Sequence, residues 1–196
     1  MHNALLLLTC FAGLLATSAH AQPGPVKKNK NIGLFNITQL GSSSGLGQVR
    51  FPGESSFRHP GALSRLRTTF GYFLKPELSV GLGLGLEAYD VPKYAFAPLV
   101  ADMRYYRRPA QSSLFAVATA GHTVSLTQEF GAGLTGGLGV GYRLIAGRAT
   151  HLLFSTGLET HQVRDARLSL FYQKSAADQR HTVWLNSVAA HVGLLF

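Results

Sequence analysis

From Leu78 to Tyr89 the chain alternates with a period of two. Leu78, Val80, Leu82, Leu84, Leu86 and Ala88 fall on one face, with Ser79, Gly81, Gly83, Gly85, Glu87 and Tyr89 on the other. That spacing belongs to a strand with one face against an apolar medium, because successive side chains of an extended chain point to opposite sides. Residues 135–145 repeat it, with Leu138, Val140, Tyr142 and Leu144 opposite Gly137, Gly139, Gly141 and Arg143. So do residues 151–162 and 182–196, the latter with Trp184, Val188, Ala190, Val192, Leu194 and Phe196 on one face and Asn186 as its misfit. Weaker versions cover 32–40, 63–74, 98–107 and 114–126, which brings the segments to eight. Helical spacing is nowhere sustained. Short connections at 75–77, 109–113 and 147–150 alternate with longer ones at 41–62, 90–97, 127–134 and 164–181. An even number of strands joined by turns short on one rim and long on the other predicts an all-β fold. Specifically, it predicts an eight-stranded antiparallel up-and-down transmembrane β-barrel with both termini on the short-turn rim.

The surrounding solvent follows from which face carries the bulk. An eight-stranded barrel has an interior only just wide enough for side chains to fill. With the aliphatic face inward, the outer wall would be rows of glycine baring backbone to water. The reverse assignment places Gly81, Gly83, Gly85, Gly137, Gly139 and Gly141 in a crowded lumen and leaves Leu, Val and Phe facing hydrocarbon. Tyr72, Tyr105, Tyr142, Trp184 and Phe196 are then available for interfacial girdles. In hydrocarbon every backbone amide needs an internal partner, and with helices excluded only a closed barrel supplies one.

Composition agrees with this reading. The 196 residues are 46% apolar and only 14% charged, with 22 glycines. No run of 18 or more apolar residues occurs outside the first two dozen positions, so a helical span is not expected there. The opening itself reads as a signal peptide: an apolar run over residues 4–16, then Ala19-His20-Ala21, with cleavage expected after Ala21. A lipoprotein signal ending at Cys10, the single cysteine, fits less well because Thr9 stands where a small Ala, Gly or Ser is needed. The organisation is therefore a removed segment 1–21, a short polar lead 22–31 and a barrel over 32–196.

The glycine-rich stretch Leu78 to Glu87, the following PLVADMRYY from Pro98 to Tyr106, and the terminal Phe196 resemble the small outer-membrane barrels of the OmpX/OmpA-like superfamily, particularly the Bacteroidota type. The resemblance covers nearly all of residues 31–196. It implies a bacterial outer-membrane location and insertion by the barrel-assembly machinery, with Phe196 as the assembly signal. It is almost silent on activity, since the superfamily includes adhesins and structural barrels.

On the expected lumen face lie Arg65, Arg67, Glu87, Asp102, Arg104, Arg143, Glu159 and His191, together with His122 and His161. Charges confined there are tolerable only if paired, because desolvating an isolated ion costs several kcal/mol. A structural network is the leading reading, ahead of a narrow polar path and of catalysis, and Asp102, Arg104 and Glu87 are expected to be mutually coupled. Among catalytic arrangements, His122 and Ser125 are three apart and point to opposite faces, leaving only a cross-strand set such as Ser155, His191 and Glu159. Gly131, Gly133 and Gly136 match GxGxxG, but no helix follows to cradle a phosphate. Histidines 151, 161, 181 and 191 recur every ten residues, a spacing expected to set them at different heights, so no metal site and no cofactor are expected.

The net charge of +9 suits an anionic surface. Arg50, Arg58, Lys93, Arg164, Arg167, Lys174 and Arg180 fall in the longer loops, where lipopolysaccharide and outer-membrane lipid are the expected partners. Nucleic acid is not expected, because the basic residues are dispersed and the compartment is wrong. The chain thus reads as a non-enzymatic barrel with a structural or surface-interaction role. The alternatives are a lipid-modifying enzyme acting on lipid A or phospholipid acyl chains, or a narrow solute or ion pore.

Overall fold

In a computed structural model, the described residues are 31–49, 57–58, 62–89, 94–126, 131, 133–147, 150–167 and 180–196. The expected signal peptide and nearly all of the polar lead lie outside them. The strands are β1 (Gly33–Leu46), β2 (Gln48–Val49), β3 (Phe57–Arg58), β4 (Ala62–Lys75), β5 (Leu78–Tyr89), β6 (Tyr94–Tyr106), β7 (Ser113–Ser125), β8 (Leu134–Ile145), β9 (His151–Arg167) and β10 (Arg180–Leu195). Eight of them close into an antiparallel barrel in the order β1-β10-β9-β8-β7-β6-β5-β4, while β2 and β3 form a small hairpin of their own. Closure is made where Thr38 of β1 pairs with Leu194 of β10. Just beyond, the Asn36 amide donates to the Phe196 carbonyl at 3.1 Å and the Phe196 amide returns a bond at 2.9 Å. No sheet edge is left open to lipid, which is the condition for a strand-built span.

The two faces separate as the alternation requires. Leu82, Leu84, Leu138 and Leu158 are more than 60% exposed on the outer wall, whereas Ser79, Glu87 and Arg143 point inward and are buried. A wall of this kind is stable only in hydrocarbon, so the fold is a transmembrane barrel. Outward Tyr72, Tyr105, Tyr142 and Phe196 ring the short-turn end, and Trp184 stands at the long-loop end of β10.

Three strand boundaries differ from the sequence pattern. β1 runs on through Gly41-Ser42-Ser43-Ser44-Gly45 to Leu46 instead of ending near Leu40, β6 starts at Tyr94 instead of Pro98, and β9 reaches Arg167. Serine on both faces erases the alternation in β1. Pairing of Ser42 with Ser64 on one side and Ala190 on the other supplies the backbone partners that composition does not advertise.

The lumen is filled in three layers. At the short-turn end Phe35, Ile37, Phe73, Tyr106, Phe115, Leu153 and Leu195 form an apolar plug, with Phe35–Phe73, Phe73–Tyr106 and Tyr106–Phe115 ring centroids 4.9, 5.9 and 5.6 Å apart. At the other end Leu63, Tyr89, Phe96, Val163, Val183 and Leu185 are buried. Between them lies a charged belt. The lumen was expected to be small or polar throughout. The aromatic plug departs from that because a barrel of this girth closes its ends most cheaply with apolar bulk, which needs no hydrogen-bond partner.

Candidate functional site

The belt is built from alternate positions of six strands. Arg65 and Arg67 come from β4, Glu87 from β5, Asp102 and Arg104 from β6, Glu159 and His161 from β9, His191 from β10 and Gln39 from β1. All but His161, which lies between Thr160 and Gln162, neighbour an outward apolar residue, and the two-residue period delivers them to a common space. Glycine makes the room. A Cβ at Gly83 would sit 2.8 Å from Thr69 Oγ1 and 3.3 Å from Arg67 Cδ, and one at Gly141 would strike the Phe115 ring.

Arg65 is the hub. Its Nε lies 2.5 Å from Glu87 Oε1 and its Nη1 pairs with Glu159 Oε1. The same guanidinium reaches His191 Nε2 at 3.1 Å and His161 Nε2 at 3.3 Å. A guanidinium can only donate, so in each of these contacts Nε2 accepts and the ring proton sits on Nδ1. For His161 that Nδ1 stands 3.1 Å from Thr135 Oγ1, and its ring meets Tyr89 edge-on at 6.5 Å. Arg67 shares Glu87, with Nη2 at 3.4 Å from Oε1.

A second unit lies toward the plug. Arg104 grips Asp102 in bidentate fashion, Nε to Oδ1 at 2.8 Å and Nη2 to Oδ2 at 3.0 Å, and also donates to Gln39 Oε1 at 2.8 Å. Its other side rests over the Phe115 ring, 5.7 Å from the centroid. The expected trio of Asp102, Arg104 and Glu87 is therefore divided: Asp102 pairs with Arg104, and Glu87 serves Arg65 and Arg67. The diagonal offset between β5 and β6 is the reason, since Glu87 registers with Phe96 and Asp102 with Gly81.

Arg143 stands apart from both acidic groups. Its guanidinium lies 4.6 Å above the Tyr106 ring and donates to Asn31 Oδ1 at 2.7 Å. It also donates to the carbonyls of Arg108, Pro109 and Gln111 at 3.2, 2.7 and 3.0 Å. It thus fastens the β6–β7 turn and the entry of the chain from inside the barrel. His122 is corrected outright: it is exposed on the outer wall, having the parity of Leu114 and Val124. The ten-residue histidine spacing also misleads, because antiparallel register brings His161 and His191 to the same guanidinium. Sequence reasoning missed Gln39, Asn31 and Thr135. Gln39 and Thr135 share parity with lumen residues of their strands, which was the available signal.

Among the described residues no group of three His, Cys, Asp or Glu side chains is disposed to hold a metal ion. The reason is visible in the belt: Arg65 occupies the centre that a cation would need. His191 Nε2 is directed at Arg65 and at Glu159, 3.5 Å away, so the nitrogen that would serve Ser155 as a base is already engaged. A cavity of about 40 Å³ is bordered by Gln39, Arg67, Asp102, Arg104, Glu159 and His191, room for roughly two or three waters. Buried Arg67 Nε, Arg104 Nη1, Glu87 Oε2 and Glu159 Oε2 make no hydrogen bond within the protein, although His161 stands 3.7 Å from Glu87 Oε2 and 4.0 Å from Glu159 Oε2. That mixture of donors and acceptors suits water better than an ion of either sign.

The chain matches no family model and no curated protein. Among solved structures it is similar to the outer membrane protein OprG from Pseudomonas aeruginosa, at 12% identity and a TM-score of 0.52, over 86% of this chain and 97% of that one. It is also similar to Neisserial surface protein A, at 10% identity and a TM-score of 0.50, over 82% and 96% of the two chains. At such identities the likeness is one of fold, and the fold this chain shares with both is the small closed outer-membrane β-barrel.

Proposed function

We propose that the protein is a sealed structural barrel of a bacterial outer membrane that presents its longer connections to the outside and carries out no chemistry. The observation that supports this reading is the layered lumen, in which a self-paired charged belt lies between two apolar layers and borders a cavity of about 40 Å³. A conduit needs a continuous wetted path, and a hydrolase needs a free base beside its nucleophile. The aromatic plug speaks against the first, and the engagement of His191 by Arg65 and Glu159 speaks against the second. The location is carried by the apolar outer wall, by the likeness to two outer-membrane barrels and by the signal peptide expected over residues 1–21. Lipopolysaccharide and membrane lipid are the partners that follow from such a location, and Phe196 is the assembly signal that the resemblance implies.

The test is to refold the chain into liposomes holding a trapped dye and to incubate the same preparation with lipid A and phospholipid. Dye retention equal to that of empty liposomes, with acyl chains unchanged, is expected. Selective loss of small solutes would favour the pore, and released or transferred acyl chains would favour the enzyme.

A further inference from the structure

Positive charge is exposed at the short-turn rim of this barrel. By sequence, the longer connections between barrel strands, 47–61, 90–93, 126–133 and 168–179, hold four basic residues and four acidic ones, and the lumen holds four arginines against Glu87, Asp102 and Glu159. Among the described residues of the short-turn rim, Glu77 is the one acidic side chain. Lys75, Arg107 and Arg108 are exposed there. By sequence, Lys27, Lys28 and Lys30 immediately precede Asn31, and Arg148 falls between β8 and β9.

The exposed three form a built surface, not scattered charge. The β4–β5 and β6–β7 turns are adjacent, since the Tyr106 amide donates to the Glu77 carbonyl at 2.7 Å. The second turn is braced from within by Arg143 on three of its carbonyls and by Ser113 Oγ on the Arg108 carbonyl at 3.0 Å. Asn31 Nδ2 donates to the Pro76 carbonyl at 2.8 Å, which ties the start of the described chain to the β4–β5 turn. Immediately above, Tyr72, Leu74 and Tyr105 face outward in the apolar band. Basic side chains one step below an aromatic girdle stand at the height of lipid headgroups, where their stems lie along hydrocarbon and their charges reach phosphate.

We propose that this rim is a docking collar for anionic phospholipid headgroups of the periplasmic leaflet, with Lys75, Arg107 and Arg108 as its fixed contacts. The assignment of leaflet rests on the outer-membrane reading above. The short-turn rim faces the periplasm in that orientation, and phosphate is the anion that the girdle places within reach.

The chain is refolded into nanodiscs of mixed phosphatidylethanolamine and phosphatidylglycerol, and the lipid retained after partial delipidation is weighed by native mass spectrometry. The wild type is expected to retain phosphatidylglycerol preferentially, by roughly fivefold per basic side chain at low salt and far less at high salt. K75Q/R107Q/R108Q is expected to lose most of the preference, whereas R164Q on the opposite rim keeps it. A charge-preserving K75R/R107K/R108K variant controls for folding, which heat-modifiable migration in gels reports for each variant. Equal retention by the wild type and the neutral triple variant, both folded, overturns the collar. A preference for purified peptidoglycan with none among lipids overturns it in favour of a polymer. Labelling of Arg107→Cys from outside intact cells overturns the leaflet and orientation instead, whatever the lipid preference.

Discussion

Glu87 is the residue on which the belt turns, because one carboxylate serves Arg65 at 2.5 Å and Arg67 at 3.4 Å. Replacing it by Gln leaves two buried guanidiniums competing for Glu159. Breaking a buried pair from one side costs about 3–5 kcal/mol, while removing both members costs much less. Glu87→Gln is therefore expected to destabilise the refolded barrel on that scale in a urea titration, and Glu87→Gln with Arg67→Met to recover a good part of the loss. The corresponding cycle of Glu87 with Arg104 should show little coupling, since Arg104 spends its donors on Asp102 and Gln39. Gly83 offers a second residue-scale test. A Cβ there meets Thr69 Oγ1 at 2.8 Å, and Gly83→Val is expected to cost about 1–3 kcal/mol by overpacking. Every charged belt residue was legible as lumen-facing from parity alone. Who pairs with whom was not, because strand stagger, which the sequence does not state, decides whether Glu87 meets Arg65 or Arg104.

At the scale of strands, the outward and inward faces of β5 predict opposite sensitivities at neighbouring positions. Leu84→Arg places a cation in the apolar band and is expected to cost about 2–4 kcal/mol if the site lies near the midplane. An arginine placed at exposed Gln111, in the β6–β7 turn, has no such face to disturb. The closing seam gives another test. Deleting Phe196 removes its two backbone bonds with Asn36 and one exposed ring, worth only a few kcal/mol of stability. Refolding in detergent should fall slightly, and outer-membrane yield in cells should fall far more if the ending is read during assembly. Equal losses would leave Phe196 a girdle residue only. The serine run of β1 shows where pattern reading fails at this scale. With hydroxyls on both faces, Gly41 to Leu46 carries no period, and only its neighbours in β4 and β10 make it a strand.

For the whole molecule, a barrel wrapped around a dry-ended, charged centre inverts the usual order of a soluble protein, and the inversion is why the alternation could be read so directly. Bulk outward and glycine inward admit one solvent. The apolar plug was the part left unread, although Phe73 shares parity with Arg67, and Tyr106 with Arg104. A lumen face that is charged at mid-strand and aromatic at its end describes a plugged barrel. The most direct check of this architecture is a nitroxide scan along β4 in lipid, with Cys10 absent or replaced and single cysteines introduced from Arg65 to Phe73. Labels at 66, 68, 70 and 72 should collide with oxygen dissolved in the bilayer, while labels at 67, 69, 71 and 73 should be shielded from both oxygen and a water-soluble nickel complex. Free access of the nickel complex to the odd positions of a folded barrel would contradict the sealed lumen.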